Sequence, residues 1–86
     1  MNISEPPEAR RVWFDDTRMF VELADDRLLG VPLAWFPRLL HATKDQLDAV
    51  WISPRGLHWD EIDEDISVAG LIAGRGDMTR RPPAAA

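Results

Sequence analysis

The chain has 86 residues, a formal net charge of −5, 45% hydrophobic residues, four tryptophans and no cysteine. The length fits one domain near the lower limit for independent stability, and the missing cysteines exclude disulfides and thiolate metal sites. The negative charge weighs against direct nucleic-acid binding, which needs a basic footprint, and suits a basic protein partner.

Residues 1–9, Met1 to Ala9, carry glutamates and prolines but no apolar h-region. They read as a flexible leader and not as a secretory signal. No apolar run approaches the ~18 residues that span a membrane. A cytoplasmic location is therefore expected, and a cysteine-free chain suits a reducing compartment. The folded domain is expected over residues 10–74, with a flexible tail over residues 75–86. The "RGD" at Arg75–Asp77 is too short a match to integrin ligands to carry weight without an export signal.

Within the domain, "RRVWF" reads as a strand and "DDT" as a turn. In "RMFVELA", Met19, Val21 and Leu23 alternate with Arg18, Phe20 and Glu22, the period of a half-buried strand. A turn at Asp25 and Asp26 leads to "RLLGV", which completes an antiparallel meander. In "PLAWFPRLLHA", Trp35, Phe36, Leu39 and Leu40 make an apolar helical face. Pro37 removes a helix-interior hydrogen bond, so two short pieces or a kink are expected. Thr43 is placed to cap a short helix, "KDQLDA". "VWIS", the turn "PRG" and "LHW" then form a second hairpin. "SVAGLIAG" reads as a last short helix, with Asp65 or Ser67 as its cap and Gly74 near its end.

The expected fold class is α+β: a small antiparallel sheet of about five strands, meander plus hairpin, with two or three short helices. The expected core comprises Trp13, Phe20 or its strand neighbours, Leu33, Trp35, Phe36, Leu39, Val50, Ile52, Trp59, Ile66 and Leu71.

Five carboxylates fall within six residues: Asp60, Glu61, Asp63, Glu64 and Asp65. An EF-hand loop starting at Glu61 would need glycine at its sixth position and glutamate at its twelfth, but those are Ile66 and Ile72. The two histidines, His41 and His58, lie in different elements and show no zinc-site spacing. No metal and no cofactor is expected. The sequence shows no Ser–His–Asp order, cysteine nucleophile or phosphate loop, so no enzyme is expected either. His58 shares a strand face with Asp60 and is read as hydrogen-bonded to a carboxylate. Asp65 and Ser67 are assigned to helix capping. Asp60, Glu61, Asp63 and Glu64, with His58 and Trp59 beside them, are assigned to a surface that attracts a small basic protein. Membrane binding is not expected, and self-association is left open.

"VPLAWFPRLLHAT" followed by "GLHWDEIDEDISVAGLIAG" resembles the small bacterial domain-of-unknown-function family numbered 2442, over Val12 to about Gly74. The chain departs from the family pattern at "SPRG", where relatives often have a glycine-rich turn, and at Asp60, where proline is common. The resemblance implies a small α+β domain. It also implies pairing with a protein of the domain-of-unknown-function family numbered 4160, in modules that look like toxin–antitoxin pairs. The acidic chain would be the antitoxin-like member. Some relatives append a helix-turn-helix domain, which makes a transcriptional accessory module the alternative; a small-ligand-binding protein or an unrecognised enzyme comes third.

Overall fold

A computed structural model describes residues 6–76. Three strands, β1 (Ala9–Phe14), β2 (Arg18–Leu23) and β3 (Leu28–Pro32), form an antiparallel meander in that order. The β1–β2 turn is held by Asp15, whose Oδ1 accepts the backbone N–H groups of Thr17 at 2.9 Å and Arg18 at 2.7 Å. The β2–β3 turn places Asp26 at φ +73°, a left-handed conformation that aspartate tolerates better than most residues.

The alternation in β2 sends Met19, Val21 and Leu23 into the core, where Val31 of β3 joins them. It sends Phe20 outward, paired with Trp13 on β1 and Gly30 on β3. Trp13 and Phe20 stack there with centroids 5.9 Å apart, and the Arg11 guanidinium lies 4.7 Å from the Trp13 ring. These two aromatics therefore cover the outer face of the sheet and are not core residues. β1 begins at Ala9, which is itself buried.

The chain then makes a 3-10 turn (Leu33–Trp35) and the helix α1 (Pro37–Leu40). Phe36 between them is extended, at φ −129° and ψ 93°, because a residue before proline avoids the helical region. Pro37 takes the first helical position, where its missing N–H is not needed. The break changes which residues face inward. Leu33, Phe36 and Leu39 are buried, whereas Trp35 is 41% exposed and Leu40 is exposed too. Trp35 is thus a second correction to the expected core. The helix α2 (Lys44–Asp48) starts with a complete capping box: Thr43 accepts from the Gln46 N–H, and the Gln46 side chain accepts from the Thr43 N–H.

A second antiparallel sheet has the order β4 (Trp51–Ser53), β5 (Gly56–Trp59) and β6 (Glu64–Ser67). The described residues thus hold six strands in two three-stranded sheets, where the sequence pointed to about five strands in one. The unexpected strand is β6. It alternates inward and outward like any half-buried strand, with Glu64 and Ile66 buried and Asp65 and Ser67 exposed. A carboxylate at an inward position conceals the pattern.

The helix α3 (Val68–Ile72) is capped by Ser67, whose Oγ accepts the Gly70 N–H at 2.9 Å. Asp65, assigned to capping from the sequence, instead lies in β6, too far upstream to reach the helix. At the other end Gly74 has φ +78°; its N–H bonds to the Leu71 carbonyl and that of Arg75 to the Gly70 carbonyl, a Schellman arrangement.

One apolar cluster joins both sheets and all three helices, from Met19 and Leu23 through Leu39 and Leu47 to Leu57, Trp59, Val68 and Leu71. Of the other expected core residues, Val50 packs against its edge and Ile52 is exposed. Among the described residues no helix is long and apolar enough to cross a membrane. The tail from Asp77 on, including the last residue of the RGD tripeptide, and the leader from Met1 to Glu5 lie outside the described residues.

Candidate functional site

The acidic stretch is the turn between β5 and β6 together with the first half of β6. Asp60 opens the turn, and its carbonyl accepts the Asp63 N–H at 3.3 Å. Asp63 has φ 55°, which again suits aspartate.

The carboxylates have separate structural roles. Asp60 Oδ1 accepts the indole N–H of Trp51 at 3.1 Å. Glu61 Oε2 accepts from the Gln46 side-chain amide at 2.9 Å, which ties the turn to α2. Glu64 is buried and lies 3.5 Å from the Arg38 guanidinium, which also donates to the Asp63 carbonyl. Asp65 Oδ1 lies 2.7 Å from His58 Nδ1. No buried side-chain nitrogen or oxygen among the described residues lacks a partner.

Two of the six surface residues assigned from sequence therefore leave the surface. Glu64 is inside, and so is Trp59, which is 2% exposed. Trp59 is on the inner face of β5, and its indole N–H donates to the Leu47 carbonyl at 3.0 Å. The exposed tryptophan of this region is Trp51, at 49%. Its ring stacks on His58 with centroids 4.3 Å apart. Asp60, Glu61, Asp63 and Asp65 remain exposed.

His58 has a carboxylate partner, but the partner is Asp65 and not Asp60. The register explains this. His58 sits opposite Trp51 on β4 and opposite Asp65 on β6, so all three side chains share the outer face of the sheet. Ser53, two residues along β4 from Trp51, completes the row with its Oγ 2.6 Å from His58 Nε2. A serine, a histidine and an aspartate are thus hydrogen-bonded in series, and they follow one another in that order along the chain, which corrects the sequence reading that no such order is present; their spacing matches no known nucleophile motif. The arrangement depends on Gly56. A Cβ there would lie 2.7 Å from the Ile66 carbonyl oxygen and 3.5 Å from His58 Nε2.

The row opens onto a cleft of about 510 Å³, lined among others by Ser53, Arg55, His58, Asp65, Ser67 and Arg75. Among the described residues no three histidine, aspartate or glutamate side chains come together as a metal-holding group.

Fold and cleft define a small α+β domain of two three-stranded antiparallel sheets, with a polar cross-strand row on the outer face of the second. The chain belongs to the family described as protein of unknown function (DUF2442), whose model matches residues 9–77. It is similar to a crystal structure of a protein of unknown function from Rhodospirillum rubrum, with 33% identity and a TM-score of 0.74 over 86% of this chain and 94% of that one. It is also similar to the solution structure of the uncharacterized protein CV0863 from Chromobacterium violaceum, with 28% identity and a TM-score of 0.71 over 81% of this chain and 68% of that one. No curated protein matches the chain.

Proposed function

We propose that this domain binds a small basic protein, as the acidic, antitoxin-like half of a pair whose other half belongs to the domain-of-unknown-function family numbered 4160. The observation that carries the reading is the setting of Trp51. A half-exposed tryptophan is held in one orientation by His58 beneath it and by Asp60 at its N–H. Preorganised aromatic side chains of this kind are favoured interface anchors. Asp60 holds the Trp51 N–H, and the exposed carboxylates of Glu61, Asp63 and Asp65 in the same turn and strand add negative charge that attracts positive charge. The family resemblance supplies the identity of the partner, and the net charge of −5 is consistent with its basic character.

The test is co-purification of this chain with the small basic protein that the family resemblance implies is encoded beside it. A stable complex is expected, weakened at least ~10-fold by Trp51→Ala, as for an interface hot spot. Asp60→Asn with Glu61→Gln should slow association at low salt and matter less at high salt, because rim charges are screened. No complex from the native pair, or a complex indifferent to Trp51→Ala, would reject the reading.

A second reading is favoured by the cleft. A recess that joins apolar walls to a histidine and a carboxylate is the usual form of a small-molecule site. Under that reading Trp51 fixes the ring of His58, which lines the pocket.

A further inference from the structure

The geometry points to Ser53 as an activated nucleophile that takes an acyl group from small carboxylic esters, with His58 as its general base and Asp65 positioning the imidazole. This goes beyond protein binding and rests on the reading of the cleft as a small-molecule site.

The hydrogen-bond order carries the inference. A carboxylate only accepts, so in the neutral imidazole the Nδ1–H donates to Asp65 at 2.7 Å. The lone pair of Nε2 then faces Ser53 Oγ at 2.6 Å and accepts its hydroxyl proton. This is the relation between orienter, base and nucleophile that serine acylation needs. The ring is fixed from three sides: Asp65 from β6, Ser53 from β4, and the Trp51 indole stacked across it. A polar row that served only to join strands would not need to open onto a recess, yet Ser53, His58 and Asp65 all line one. Its volume of about 510 Å³ accommodates a small ester. Phe36 and Ile66 contribute apolar wall to it, and Arg55 and Arg75 cationic wall.

The step balances without a further reagent beyond water. Ser53 Oγ bonds to the ester carbonyl carbon as its proton passes to His58 Nε2, and the carbonyl electron pair moves to oxygen. Collapse breaks the bond to the leaving alcohol, which takes the proton from Nε2. Water then repeats the sequence, releases the carboxylic acid and restores the serine hydroxyl. One component is weak. The residue after Ser53 is Pro54, which has no N–H to offer the developing oxyanion. Arg55 and Arg75, which line the cleft, carry side-chain donors. Loss of one oxyanion donor costs about 10²–10³ in rate. The expected behaviour is therefore covalent labelling and slow turnover.

The experiment treats the full chain with a fluorophosphonate probe and, separately, with p-nitrophenyl acetate, and locates adducts by peptide mass spectrometry. One adduct is expected, on Ser53. Ser53→Ala should abolish it, and His58→Gln should slow it at least ~100-fold, the lower range for a general base. Ser53→Cys guards against a folding artefact: its thiol should react with iodoacetamide faster than a free thiol, and His58→Gln should remove that advantage. For Asp65, a downfield imidazole N–H resonance should be present in wild type and lost in folded Asp65→Asn. No adduct, an adduct elsewhere, or labelling indifferent to His58→Gln overturns the proposal. If acetanilide, an unreactive analogue, shifts the His58 and Trp51 resonances while no adduct forms, the nucleophile is overturned and the cleft still binds ligands. If neither occurs, both fall.

Discussion

The indole N–H of Trp59 donates to the backbone carbonyl of Leu47 at 3.0 Å, joining the inner face of the second sheet to the last turn of α2. Trp59 is among the largest fully buried side chains. Trp59→Ala should destabilise by about 3–5 kcal/mol, the usual cost of removing a large core aromatic. Trp59→Phe keeps a ring but loses the hydrogen bond, whose net worth is about 1 kcal/mol. Urea midpoints should fall in the order wild type, Trp59→Phe, Trp59→Ala, and a midpoint for Trp59→Ala near wild type would contradict the packing described.

Trp35 is the contrasting case. It lies in the same kind of aromatic-rich stretch, but its side of the 3-10 turn faces solvent. Trp35→Ala should cost less than about 1 kcal/mol, in the range of surface changes. The comparison with Trp59→Ala in one denaturation series separates core from surface tryptophan. A loss of several kcal/mol at Trp35 would place it in the core after all.

These two tryptophans show what the sequence could and could not disclose. Periodicity found Met19, Val21 and Leu23, because one face of β2 is buried and the other is not. Local chemistry found the Thr43 cap and the break at Pro37, since each depends on neighbours within four residues. Trp35 and Phe36 are adjacent, and only the turn made before Pro37 decides which one goes inside. β6 was missed because Glu64 occupies an inward position, and Arg38, its ion-pair partner, is 26 residues away. The Ser53–His58–Asp65 row was missed for the same reason. It exists only once β4, β5 and β6 are in register, and no spacing along the chain announces a register.

Asp15 gives a pH-dependent prediction. Its carboxyl is held below the ordinary aspartate range, first by the Thr17 N–H and then by that of Arg18. A carboxyl depressed in the folded state stabilises the fold above its unfolded pKa, and that contribution is lost as pH falls through the folded value. Asp15→Ala should therefore lower the melting temperature near neutral pH. The gap to wild type should close in acid, below the usual aspartate pKa of about 3.9. A gap that stayed constant down to pH ~2 would mean that the turn does not depend on the ionised carboxylate.

The start of α3 couples two residues that would ordinarily be treated alone. Ser67 caps the helix through the Gly70 N–H, and a Cβ on Gly70 would lie 2.8 Å from Ser67 Oγ. Ser67→Ala should cost about 1 kcal/mol, the typical value of a lost cap. Asp65→Ala, by contrast, should leave the helix start intact, because Asp65 is in β6 and bonds to His58. Gly70→Ala would gain roughly 0.5–1 kcal/mol of helix propensity in an ordinary interior. Here the new methyl pushes Ser67 Oγ out of its capping position, so the gain and the lost cap nearly cancel. With Ser67 already replaced by alanine there is no cap to lose, and Gly70→Ala should stabilise. A double-mutant cycle in thermal or urea denaturation measures this directly. The coupling should be close to the value of the cap itself. Additive effects would show that the Ser67 hydroxyl does not hold the helix start.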